Sequence, residues 1–197
     1  MQNNPEQNNP EQNNPEQNNP EQQPGNFRSH AFEGGDWRKA EALVLTWLRG
    51  RYETVVDLRG DEWARKMDVD FQAIMTSGRY WFYDVKAESN TQRTGNIAFE
   101  IVSNFGTGTP GAHLMSSAHF IAHVSTGSEW FLRIIDLKRL REWINKNGLR
   151  RFQCVPCGTK MNDGTFAYTT LSLLLPLFEV EPFLKWSGPL RDTEANK

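Results

Sequence analysis

The sequence predicts a single α/β domain. Three observations carry that expectation: an amphipathic helical pattern from Asp36, two β-rich segments close together between Val69 and Ala87, and a capped helix from Asp136 to Asn147. The chain has 197 residues, of which 2–21 are four copies of QNNPE. With nothing apolar to bury and a Pro at every fifth position, the repeat is expected to be disordered. That gives a tail over 1–25, one domain over 26–190 and a short C-terminal tail over 191–197.

Along the first helix Ala40, Leu43, Val44, Trp47 and Leu48 recur at helical spacing, with Asp36 placed to cap the start and Gly50 the end. Thr54 to Leu58 reads as a short irregular or strand segment, followed by a charged link through Arg59, Asp61, Glu62, Arg65 and Lys66. Val69 to Thr76 (VDFQAIMT) and Tyr80 to Ala87 (YWFYDVKA) flank Ser77, Gly78 and Arg79, which predicts a β-hairpin. Ile97 to Val102 is a third strand, Asn104 to Gly111 a glycine-rich loop, and His113 to Ala118 a short helical turn. Phe120 to Ser125 and Glu129 to Ile135 are two more strands, and Leu137, Leu140 and Ile144 form the inner stripe of the helix that ends at Gly148.

Several classes are excluded. The most apolar run, Leu171 to Leu177 (LSLLLPL), is far short of the roughly 20 residues a membrane helix needs, so no membrane span is expected. Nothing at the N-terminus resembles a secretory signal and there are only two Cys, which points to a cytoplasmic setting. Net charge is −2; the four Glu of the repeat account for −4, leaving the rest at +2. So small an excess does not suit a protein that coats nucleic acid over a whole face, and any DNA contact should be local.

The chemistry concentrates in the hairpin. Residues two apart on a strand share a face, which groups Asp84 with Lys86 and Asp68 with Asp70. A turn at Ser77–Gly78 brings residue 70 opposite 84 or 85, where two carboxylates among core-like neighbours would repel. A divalent cation resolves that conflict, and Mg²⁺ uses one or two carboxylates with water and phosphate. Lys86 then faces the attacking water, to orient or deprotonate it.

Asp70, a spacer and Asp84-Val85-Lys86, continued by Arg93-Thr94-Gly95-Asn96-Ile97-Ala98-Phe99-Glu100, Pro110-Gly111 and Ser116-Ser117-Ala118, resemble the PD-(D/E)XK nuclease superfamily, in its phage and prokaryotic Holliday-junction-resolvase-like branch. The resemblance spans roughly Asp36 to Asn147, and Val69 stands where the proline of the name would be. It implies a restriction-endonuclease-like αβββαβ core with a mixed central sheet flanked by helices. It also implies DNA as partner, Mg²⁺ or Mn²⁺ as cofactor, Asp70, Asp84 and the Val85 carbonyl as metal ligands, Lys86 as catalytic residue and Glu41 as an additional acid. A homodimer is a further implication. The resulting expectation is a metal-dependent, structure-specific DNA endonuclease, with a non-cleaving DNA-binding or scaffold protein of the same fold as the alternative.

Asp68 competes with Asp70 for the metal, and Glu88 is either a substitute ligand or plain surface. Arg93 and Asn96 either contact DNA phosphate or close a turn. Cys154 and Cys157 have zinc-like spacing but lack a second pair, and read as buried or loop thiols. His119 and His123 fall in a strand and are assigned no metal. The run Tyr80-Trp81-Phe82-Tyr83 reads as core packing rather than a base-stacking surface.

Overall fold

The computed structural model describes residues 36–160 and 166–191. The QNNPE repeat and the C-terminal tail beyond Arg191 lie outside the described residues. Helix α1 (Asp36–Arg49) leads into β1 (Thr54–Asp57), α2 (Glu62–Lys66), β2 (Phe71–Ile74) and β3 (Tyr80–Glu88). Next come α3 (Thr91–Thr94), β4 (Asn96–Asn104), β5 (Thr109–Pro110), α4 (Ala112–Met115), β6 (Phe120–Ser125), β7 (Phe131–Asp136) and α5 (Leu137–Asn147). The chain ends with β8 (Gln153–Lys160), β9 (Phe166–Pro176), α6 (Leu177–Val180) and β10 (Leu184–Pro189).

The result is α/β with a mixed central sheet. That sheet runs β1-β2-β3-β6-β7-β10, with β3 and β6 parallel and every other neighbour antiparallel. A second, antiparallel sheet runs β5-β4-β9-β8. One core lies between α1 and the central sheet, where Val44 and Leu48 meet Phe71, Tyr83, Val124 and Leu132. The other lies on the opposite face, where Ile121 and Ile135 meet Phe99, Leu173 and Leu175 of the second sheet and Leu140 and Ile144 of α5. Strand alternation separates the two cores.

The expected first and last helices are present. In α1 the buried Ala40, Leu43, Val44 and Leu48 form the inner stripe. The Asp136 carboxylate accepts the Arg139 N–H at 3.1 Å to start α5, and Gly148 ends it at φ +81°. The charged link after β1 holds the extra helix α2, whose Glu62 and Lys66 pair across one turn at 2.8 Å while Ala64 is buried. The segment expected as a third strand, Ile97 to Val102, lies within β4, which belongs to the second sheet rather than the hairpin's, with Phe99 opposite Leu173. Gly95, at φ +68°, ends α3 and redirects the chain there. Among the described residues no helix is long and apolar enough to cross a membrane.

Candidate active site

The hairpin register sets the centre of the site. Phe71 pairs with Tyr83, which carries on to place Asp70 opposite Asp84, on the face turned toward the second sheet. Asp70 is the last residue before β2. Its N–H donates to the Tyr83 carbonyl at 2.8 Å, its carbonyl accepts from Leu58 N–H at 2.9 Å, and its Oδ2 accepts the Val85 N–H at 2.8 Å. A strand residue presents its N–H and C=O to the same side, so the Val85 carbonyl also points past the end of β2 toward Asp70.

Asp84 is fully buried beside β6, opposite Ile121. Lys86 Nζ lies 3.0 Å from its Oδ1 and 3.9 Å from Asp68 Oδ1, yet neither Asp84 oxygen receives a well-aligned hydrogen bond. Burial pushes the Asp84 carboxyl well above the ordinary range, against the pull of Lys86 and helped by Asp68 and Asp70. Burial also works against the Lys86 charge, but Asp84, Asp68 and Asp70 outweigh it and raise its pKa. Both shifts favour the protonated form, and the charged ammonium is the firmer of the two, because three carboxylates face it and its side chain keeps 24 % exposure. Held charged, Lys86 is fitted to donate a hydrogen bond rather than to take a proton from water.

Asp68 reaches the site by a different route from the one expected. It lies in the left-handed region at φ +54°, just after α2, so strand alternation does not place it on a face with Asp70. Ser116 Oγ donates to its carbonyl at 2.8 Å and holds it there.

A cleft of about 1580 Å³ opens beside these groups, lined among others by Glu41, Asp68, Lys86 and Glu100, whereas the buried Asp70 and Asp84 are not part of its lining. Glu41 is buried on α1 and accepts from Arg59 Nη1 at 2.8 Å. Arg59 also bonds Asp57 through Nε at 2.8 Å, and these carboxylates hold the guanidinium firmly cationic. Glu100, from the opposite wall on β4, is a further acid that strand patterning alone did not flag; its signal is a lone charge within the apolar run IAFEIV. Burial pushes its carboxyl up, opposed by the Ala112 N–H that donates to Oε1 at 3.0 Å. Gly111 permits that approach, since a Cβ there would sit 2.5 Å from the Glu100 carbonyl oxygen.

Other candidates lie elsewhere. Glu88 is neither surface nor part of this cluster: its carboxylate accepts from Thr91 Oγ1 at 2.7 Å and Ala98 N–H at 3.0 Å, and lies 3.1 Å from His123 Nε2. Arg93 bonds Asn90 at 3.1 Å and Asn96 bonds the Thr94 carbonyl at 3.1 Å, so both close the α3 turn, and neither lines the cleft. His119 Nδ1 accepts the Phe82 N–H at 3.0 Å. Cys154 and Cys157 are not buried or in a loop; both are exposed on β8, which pairs only with β9 and so forms the edge of its sheet. Tyr80 also departs from the core expectation, being 49 % exposed at the start of β3, whereas Tyr83 is buried.

Comparison with protein-family models, with curated proteins and with solved structures finds no match.

Proposed function

We propose that the cleft hydrolyses phosphodiester bonds in DNA with Mg²⁺ or Mn²⁺. The observation that carries this is the buried Asp84 carboxylate, without an aligned hydrogen-bond donor and opposite Asp70, with the Lys86 ammonium 3.0 Å away linking it to the open cleft that Lys86 lines. Element order supports the resemblance to the PD-(D/E)XK superfamily in part: after α1 come three antiparallel strands, interrupted by α2 between the first two, and a crossover through β4 and β5 of the second sheet brings β6 parallel to β3. The cleft volume of about 1580 Å³ exceeds the roughly 300–1,000 Å³ of small-molecule pockets and suits a polymer.

The donors fit a hard cation, being carboxylates with a backbone carbonyl beside them: Asp70 and Asp84 would hold it, with the Val85 carbonyl next to both. Bound there, Mg²⁺ would supply charge against the phosphoryl oxygens and make water more acidic. The protein's own part is positional. Lys86 donates to the attacking water or to a phosphoryl oxygen, and Asp68 and Asp84 fix where that ammonium sits. Glu100, which lines the same cleft and whose carboxyl burial pushes up, would donate a proton to the departing oxygen.

The test is cleavage of plasmid, nicked, branched and single-stranded DNA by the full chain with Mg²⁺. Lys86→Ala and Asp84→Asn should each lower the rate by about a thousandfold. Wild-type protein no faster than the double variant on every substrate overturns the proposal. One observation favours a non-cleaving DNA-binding protein of this fold: among the described residues no three His, Cys, Asp or Glu side chains are grouped so as to cage a metal. That reading predicts DNA affinity indifferent to metal, with no cleavage.

A further inference from the structure

The face of β3 that carries Asp84 and Lys86 also carries Tyr80 and Phe82, four and two residues before Asp84. Tyr80 is 49 % exposed and Trp63, on α2, is 50 % exposed; both rings rest on Phe82, at centroid distances of 5.3 Å and 6.1 Å. Met67, 44 % exposed, caps α2 one turn after Trp63. Two half-bare aromatic rings braced on a third are an unusual surface for a chain with two filled cores.

Charge around the rings decides what fits them. Arg65 and Arg79 are exposed and make no ion pair among the described residues, while Lys66 shares its charge with Glu62 at 2.8 Å. Arg65 and Lys66 line the cleft, so the helix presenting Trp63 also forms one cleft wall. Exposed aromatic faces on segments that also carry unpaired guanidinium groups match an unpaired nucleotide: the base stacks on a ring and the strand's phosphates reach the cation on the cleft side. A protein partner would gain from the rings but would have to neutralise both arginines.

We infer that Trp63 and Tyr80 form a stacking platform for unpaired bases, which directs single-stranded or branched DNA into the cleft; this rests on the proposed nuclease function. At about 3.3 Å per strand residue, Tyr80 lies about 13 Å along β3 from Asp84, roughly the span of four stacked nucleotides or fewer stretched ones. Scission should therefore fall a few nucleotides from the first stacked base.

The experiment measures binding of labelled oligothymidine, and of a duplex control, to the full chain in Ca²⁺, together with cleavage of a flapped duplex in Mg²⁺. Trp63→Ala and Tyr80→Ala should each weaken oligothymidine binding about tenfold with little change for duplex, and Trp63→Phe and Tyr80→Phe should restore most of it. Alanine variants that bind oligothymidine as tightly as wild type overturn the platform and leave the nuclease proposal standing. Platform-dependent binding with no cleavage of any substrate supports the platform and overturns the nuclease. A wild-type dimer that the alanine variants split, with DNA binding unchanged, assigns the patch to a second copy of the chain and overturns the inference.

Discussion

The two faces of β3 are made by the same nine residues, yet they solve opposite problems. Toward α1 the strand turns Tyr83 and Val85 into a dry core with Phe71, Val124 and Leu132. Toward the second sheet it turns Asp84, Lys86 and Glu88 into a polar interior where His123 and His113 are also buried. The first face supplies folding free energy and the second consumes some of it, because burial of charge is unfavourable even when paired. The dry face is what allows the charged one to persist.

That contrast can be broken from either side. The largest effect is expected from Phe71→Ala, which empties a fully buried site on the dry face and should cost about 3–5 kcal/mol in denaturant unfolding. Next, Asp84→Asn leaves the Lys86 ammonium without its nearest carboxylate and should cut cleavage about a thousandfold. The folded pKa of Asp84 is raised, so the wild-type carboxyl favours the fold only while protonated, and that contribution fades as pH climbs above about 4; unfolding of Asp84→Asn should lack this pH dependence. Added Mg²⁺ should raise the wild-type melting temperature and leave that of Asp84→Asn unmoved.

His113 titrates with the opposite sign. Burial holds its pKa well below the ordinary 6.5, so the unfolded chain takes up a proton first and stability falls as pH drops below about 6.5. His113→Leu should flatten that acid limb, by up to about 1.4 kcal/mol per pH unit, in melts across pH 4–7. The smallest effect is expected from Ser116→Ala, which frees the Asp68 carbonyl and leaves Ala118 N–H without its acceptor. It should cost about 1 kcal/mol and slow cleavage by loosening Asp68, read by unfolding and initial rates.

Local periodicity made α1, the β2–β3 hairpin and α5 legible, because each buries one regular stripe on its own neighbours. The second sheet was not, since β4 finds its partner β9 some 70 residues later in the chain, a pairing no local pattern encodes. Leu171 to Leu177, informative in the sequence only as too short for a membrane span, supplies Leu173 and Leu175 to the core. Asp84 and Lys86 followed from alternation, but Asp68 did not, because alternation does not extend past the first residue of β2 into a left-handed backbone. Glu100 escaped for the same reason as its sheet: it is joined to the site only by tertiary packing.

The hydrogen bond from Val85 N–H to Asp70 Oδ2 has a consequence for how the site can change. A side chain there serves as the final rung of a backbone ladder, so one oxygen atom answers to both the proposed chemistry and pairing. Asp70→Asn can keep that rung through its amide oxygen while losing the charge, whereas Asp70→Ala loses both, and the gap between the two variants measures how much of the proposed metal ligand is also scaffold.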